Sequence, residues 1–248
     1  MFRLSPLRVR VFQGCKLRYK YQYVDKLPAR LRAQDTAGTL VHNVLADFFA
    51  KLPPEERSAE RLLSMFEERW QALSPRYLRM PGVDELRKSS LEQLRRFTEE
   101  ADLQAQPYLI EAYFQTWLAP DVILGGRMDR VDEQADGTLH VIDYKTGEAP
   151  EEVDAGQLRL YAIMVEEKLE RPVSQASFWY LDDGSVWTIE LTEEEKRQAL
   201  EDALTAFREM MKESVYPPTI GKHCAYCPYL YACDYRQEIA QRRQAEGW

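Results

Sequence analysis

The stretch "HVIDYKTGEAP", residues 140–150, decides how the rest of the chain is read. Val141 and Ile142 lead into Asp143, Tyr144 and Lys145, and Thr146–Gly147 breaks the pattern. Strand side chains alternate between faces, so Asp143 and Lys145 leave the same one. An acid beside a lysine where an apolar strand ends is a structural ion pair or part of a site. The D-x-K spacing alone points to the first. Its surroundings point to the second.

Fourteen residues earlier, "GGRMDRVDE" (125–133) carries Asp129 near the end of the preceding strand. A turn at Ala135-Asp136-Gly137 folds the two strands together, which sets Asp129 beside Asp143. Glu111 lies one strand further back, in "PYLIEAYFQTWL" (107–118), a segment rich in aromatic residues. Carboxylates converging on one point repel one another unless a cation joins them, and hard oxygen donors suit Mg²⁺ or Mn²⁺. Such a cation polarises a phosphoryl oxygen and lowers the pKa of a bound water. Lys145 beside it would hold that water or stabilise charge growing on the phosphate. Gln157 and Tyr161, in "QLRLY", are four apart on a helix expected over 154–170, hence on one face. His42, in "GTLVHNVL" (38–45), sits mid-helix among apolar neighbours, as a core histidine or a further metal ligand.

Working outward, Ser5-Pro6 opens a helix expected to run to about Tyr21. Apolar spacing predicts helices over 37–51, around 62–73 and over 83–102, so the first hundred residues read as helical. Three strands then form a meander. A helix, a hairpin made of "SQASFWYL" and "SVWTIEL", and a helix opened by the Thr192/Glu195 capping box follow. The order defines an α+β (mixed α/β) fold.

The 248 residues are 45% apolar and 30% charged, as in an ordinary globular chain. No apolar run is long enough to span a bilayer, and the N-terminus lacks a signal-peptide core. A cytoplasmic protein is expected, with its thiols reduced. The net charge of −8 disfavours nucleic acid on average, but its distribution does not. Residues 1–32 hold nine Lys or Arg and one acid, with Tyr19, Tyr21 and Tyr23 between them. Such a segment could track a phosphate backbone and stack on single-strand bases. The other reading is a solvated helix face.

The ordered set "GTLVHNVL", "GGRMDRVDE", "VIDYKTG" and "QLRLY" resembles the motifs of the RecB-like branch of the PD-(D/E)XK nucleases, from about Ser5 to Tyr235. The resemblance implies a restriction-endonuclease-like core sheet flanked by helices. It implies a catalytic set of Asp129, Asp143, Lys145 and Glu111. The implied Mg²⁺ or Mn²⁺ ligands are His42, Asp129, Asp143 and Tyr144, with Gln157 and Tyr161 contacting DNA or supporting the metal shell. The expected layout is a single nuclease domain over 1–248. It comprises a basic N-terminal helix (1–35), a helical region (36–105), the nuclease core (106–213) and a Cys-rich tail (214–248).

All four cysteines fall in two segments: Cys15 near the start, and Cys224, Cys227 and Cys233 in "HCAYCPYLYACDY". Three clustered thiols and a distant one can complete a Cys₄ site for iron–sulfur or zinc. The bland alternative is buried apolar thiols. The one-plus-three arrangement is similar to that of RecB-like nucleases with a 4Fe–4S cluster, including the AddB-type nuclease domain and the CRISPR-adaptation nucleases. That resemblance implies a cluster on Cys15, Cys224, Cys227 and Cys233 that staples the chain ends together. Zinc, as Cys₄ or with His223, is the alternative.

The function so implied is metal-dependent hydrolysis of DNA phosphodiesters, as an exonuclease on single-stranded ends in repair or recombination. One alternative is a CRISPR-adaptation nuclease that trims DNA alongside an integrase. The other is a non-cleaving DNA-end-binding subunit. No G-x-x-x-x-G-K-[ST] loop occurs in the chain, so any duplex unwinding falls to a separate helicase.

Overall fold

The computed structural model describes residues 1–30 and 32–248. Its centre is a six-stranded mixed sheet in the order β1-β3-β4-β5-β6, with β2 also paired to β3. The strands are β1 (Phe2–Leu4), β2 (Leu109–Ala119), β3 (Val122–Glu133), β4 (Leu139–Lys145), β5 (Val173–Tyr180) and β6 (Val186–Glu190). Two helices, α1 (Pro6–Gly14) and α2 (Lys16–Tyr19), follow β1. A helical layer comes next: α3 (Ala33–Lys51), α4 (Ala59–Gln71), α5 (Pro75–Leu78) and α6 (Val83–Glu100). The helix α7 (Gly156–Leu169) crosses over between β4 and β5, and α8 (Glu193–Lys212) and α9 (Arg236–Glu246) close the chain.

Helices cover both faces of β4, and its side chains divide between two cores. Val141 packs with Leu158, Ala162 and Val165 of α7 and Ala203 and Ala206 of α8. Ile142 and Tyr144 pack on the other face with Val41, Phe48, Leu94 and Phe97 of the helical layer. A strand buried on both sides carries apolar residues in succession, as Val141-Ile142 do. β4 and β5 pair in parallel, which requires the crossover that α7 provides.

The three-strand meander forms as expected, with β2 and β4 antiparallel to β3. The N-terminus differs. Phe2–Leu4 forms an unexpected short strand parallel to Val122–Leu124, and α1 then opens at Ser5-Pro6 as expected, with Ser5 Oγ accepting the Arg8 N–H. The single basic helix is broken at Cys15, whose extended backbone (φ −163°) ends α1, and a π-helical turn over Lys20–Val24 follows α2. Tyr19 and Tyr21 are buried, so they offer no stacking platform to a nucleic acid. Tyr19 packs edge-on against Phe12, and Tyr21 joins Leu17 and Tyr229 in a third, small core beneath the Cys-rich tail. No helix among the described residues is long and apolar enough to cross a membrane.

Candidate active site

The sheet forks at the motif residues. β2 runs along one edge of β3. The other edge is shared: β1 takes Val122–Leu124, and β4 takes Arg130–Glu133. Residues 125–129 lie between these two ladders. Asp129 stands where β4 parts from β3, and its Oδ2 accepts the Tyr144 main-chain N–H at 2.8 Å. A side chain thus replaces the next rung and leaves Asp143 and Lys145 on β4 beyond the fork.

On the β2 side, Ile110 pairs with Arg130 and Ala112 with Met128, so Glu111 and Asp129 face each other across the ladder. Glu111 has a left-handed backbone, φ +49°, inside a strand. That conformation costs a non-glycine residue on the order of 1–3 kcal/mol and persists where surroundings enforce it. The twist exchanges faces: Ile110 packs on the helical layer and Arg130 lies over Phe49 there, at 4.6 Å, while Met128 enters the opposite core. The result turns Glu111 and Asp129 toward one point, where His42 of α3 meets them. One ligand atom from each of His42, Glu111 and Asp129 lies within 4.8 Å of the others. His42 Nδ1 is 3.2 Å from Asp129 Oδ2.

Asp143 and Lys145 form a second group on the other flank of the fork. Lys145 Nζ contacts Asp143 Oδ2 at 2.5 Å and donates to Gln157 Oε1 at 3.2 Å. Gln157 Nε2 donates to Asp143 Oδ1 and to the Tyr161 hydroxyl, both at 2.9 Å. The i, i+4 spacing on α7 therefore fixes the amide that holds acid and lysine together. The Tyr144 side chain points away among Phe97 and Trp179, which leaves only its main chain for the site.

The charges are mutually frustrated. Burial pushes Asp143 up to about 6; Lys145 opposes the rise and Asp129 adds to it. Burial, then the Asp129 charge, raises Glu111, with Arg127 at 3.5 Å opposing. Burial alone would lower His42, but Asp129, Asp143 and Glu111 together hold it above its ordinary value. Acids gathered this closely, with the ionisation of Glu111 and Asp143 disfavoured, fit a divalent cation, which would neutralise them.

The sign of the pH response follows. The folded-state value of Asp143 exceeds that of an exposed aspartate, about 3.9, so the folded protein binds more protons between the two. In the metal-free protein this group's contribution to stability falls as pH rises from about 4 to 6. Cation affinity runs the other way and rises through about pH 6, because binding displaces the proton. Thermal melts of wild type and Asp143→Asn across that range, with and without Mn²⁺, should show a steeper fall in metal-free wild type than in the metal-free variant, where the raised Glu111 leaves part of it.

Two glycines, Gly126 and Gly38, set the approach distances. A Cβ on Gly126 would lie 2.7 Å from Tyr161 Cε1 and 3.0 Å from Met164 Cε. A glycine inside a strand pattern marks such a close approach. Gly126→Ala must displace Tyr161 and with it Gln157. It is expected to cost about 1–3 kcal/mol in a thermal melt and about 10–10²-fold in turnover. Gly38 lies one turn before His42, and a Cβ there would sit 2.8 Å from Thr146 Oγ1. It lets α3 close against the loop that follows Lys145.

Far from the fork, all four thiols line one pocket with Leu17, Tyr21, Leu230 and Ile239. The break at Cys15 carries its sulfur to the tail, where it accepts from the Thr219 N–H at 3.5 Å. Burial raises the thiols of Cys227 and Cys233, and the charges of the other cysteines add to the rise. His223 Nε2 is engaged by the Thr219 carbonyl at 2.9 Å.

A forked mixed sheet, acids on adjacent strands and a D-x-K pair describe a metal-dependent nuclease fold. The sequence matches the PD-(D/E)XK nuclease superfamily over residues 3–234, and the chain belongs to that superfamily. No curated protein matches it. Among solved structures it is similar to one described as "Putative exonuclease" from Eubacterium rectale. The TM-score is 0.56 at 10% identity, over 90% of this chain and 86% of that one. A second solved structure, SSO0001, is similar at TM-score 0.39 and 14% identity over 94% of this chain and 86% of that one. At such identities the first likeness shows the fold alone.

Proposed function

We propose that this protein is a divalent-metal-dependent deoxyribonuclease of the RecB-like branch, acting as an exonuclease on single-stranded ends. The observation that carries the reading is the convergence of His42, Glu111 and Asp129 within 4.8 Å at the fork from which Asp143 and Lys145 also project. With Asp143 and the Tyr144 main chain, these residues would hold Mg²⁺ or Mn²⁺. The cation supplies charge neutralisation and polarises the phosphoryl oxygen. Lys145 adds a fixed positive charge for the phosphate as it gains negative charge. Gln157 keeps Lys145 and Asp143 in contact, Tyr161 orients Gln157, and the Tyr144 N–H anchors Asp129. Single-stranded DNA, linear or circular, incubated with Mg²⁺ or Mn²⁺ tests the reading. Loss of linear strands with survival of circles is expected, and a chelator should stop it. Intact linear DNA under every condition would overturn it.

The same reading assigns a 4Fe–4S cluster to Cys15, Cys224, Cys227 and Cys233. A tetrahedral zinc site with bonds of about 2.3 Å holds its sulfurs about 3.8 Å apart. Among the described residues, no three of these thiols and His223 gather within 4.8 Å. That wider spacing, with His223 held by a carbonyl, supports a cluster over a single ion. In this role the cluster fastens α2 to the tail across the small core of Leu17, Tyr21 and Tyr229. A place in DNA repair, alongside a separate helicase and in the cytoplasm, accords with this activity.

A further inference from the structure

A cavity of about 580 Å³ opens beside Lys145 and Gln157 and extends between α1, α7 and α8, away from the carboxylate row. Its volume falls in the range of sites that enclose small organic groups, roughly 300–1,000 Å³. Phe178, Tyr180, Leu160, Val9, Ala199 and Ala203 give it apolar walls. Arg10 stands at the same cavity, exposed, and close enough to act on the Tyr161 hydroxyl. Five acids also line it: Glu148, Glu152, Asp154, Glu195 and Asp202. One of the three cations, Arg159, is already tied to Glu195 at 2.9 Å.

This combination selects against a continuous strand. A phosphate fits where Lys145 and Arg10 stand. The next phosphate of a threaded strand would meet these acids, and at low salt like charges within a Debye length of about 10 Å repel it. An uncharged aromatic group, by contrast, fits walls of this kind.

Resting on the nuclease reading above, we infer that this cavity seats the terminal nucleoside of a single DNA strand. Its base occupies the cavity beside the small parts of the otherwise buried Phe178 and Tyr180 that reach it, and the adjoining phosphodiester lies at Lys145. The acidic lining then makes the site specific for strand ends, because only a strand that stops there avoids a second phosphate among the carboxylates. The carboxylate row supplies the chemistry, and the cavity supplies the requirement for an end.

The test is binding of short single-stranded oligonucleotides, measured by anisotropy in Ca²⁺, with a base removed at the 5′ terminus, the 3′ terminus or mid-strand. Wild type should bind one of the two terminally abasic strands at least about fivefold more weakly than the intact strand, the lower end of what stacking one base contributes. The mid-strand gap should change nothing. Gln198→Trp should erase the terminal preference. Gln198 is an exposed α8 residue at the cavity whose side-chain amide donates, among the described residues, only to Asp202. A wild type indifferent to both terminal bases would overturn the inference whether or not the variant folds. So would a Gln198→Trp protein with an unchanged melt that keeps the full preference. Hydrolysis in Mn²⁺ is followed in parallel. A terminal preference without hydrolysis keeps the cavity's role and removes the nuclease reading. Hydrolysis without a terminal preference does the reverse.

Discussion

Lys145→Met is expected to lower hydrolysis by about 10²–10³-fold, the usual effect of deleting one fixed charge that faces the transition state. The loss should remain at high pH. Lys145 touches Asp143 at 2.5 Å and works against the burial that pushes that acid up to about 6. Without the lysine, Asp143 titrates higher still and part of it is protonated at neutral pH. If Lys145 served only to keep Asp143 ionised, raising the pH would restore the rate. If its ammonium acts on the phosphate, rates at pH 9 remain depressed. Mn²⁺ titrations at that pH should show the cation bound by variant and wild type alike, because His42, Glu111 and Asp129 are untouched. A pH-rate profile of the variant that rejoins wild type at the alkaline end would reduce Lys145 to a partner of Asp143.

Cys233→Ala is expected to have the largest effect on stability. The tail from Lys222 to Ala232 is built of two short 3₁₀ turns with few apolar anchors, among them Tyr229 beneath the sulfurs. Such a segment buries too little to hold itself, and the fastening to Cys15 spans more than two hundred residues of chain. Structural metal sites supply on the order of 10 kcal/mol in small domains. Loss of even several kcal/mol in a chain of this size lowers Tm by roughly 10 °C. Anaerobically purified wild type should be brown with bound iron, and the variant colourless and less stable. A variant that keeps both its visible absorbance and its melt would remove the cluster from the account. Iron-free wild type with one zinc per chain would replace it with the single-ion site.

What could be read from the sequence followed the periodicities. Alternation at Asp143 and Lys145 is a local property of a strand, and the two side chains do meet. The four-residue spacing of Gln157 and Tyr161 is local to a helix, and the hydrogen bond between them follows. The Asp-Gly turn sets β4 against β3 within twelve residues. The remaining features depend on contacts remote in sequence. β1 is three residues long and is ordered only by pairing with Val122–Leu124, so no pattern announces it. The fork exists because β1 and β4 share one edge of β3, a fact of topology. The positive φ of Glu111 has no local signal, since neither neighbour is a glycine or a turn residue. Tyr19 and Tyr21 stand between basic residues, and only the tail packing over them shows that they are core. "GGR" did carry a signal: paired glycines in a strand mark a close approach, here by Tyr161 at Gly126.

The measurement that bears most directly on the central claim compares wild type, Asp129→Asn and Asp143→Asn on end-labelled linear single-stranded DNA in Mn²⁺, with DNA affinity measured beside it. Each substitution removes one charge from the row and keeps its shape. The account predicts hydrolysis by wild type, its loss in both variants, and affinity for DNA retained in all three. Hydrolysis that survives in both variants would place the chemistry elsewhere on the molecule and contradict the assignment of the fork as the active site.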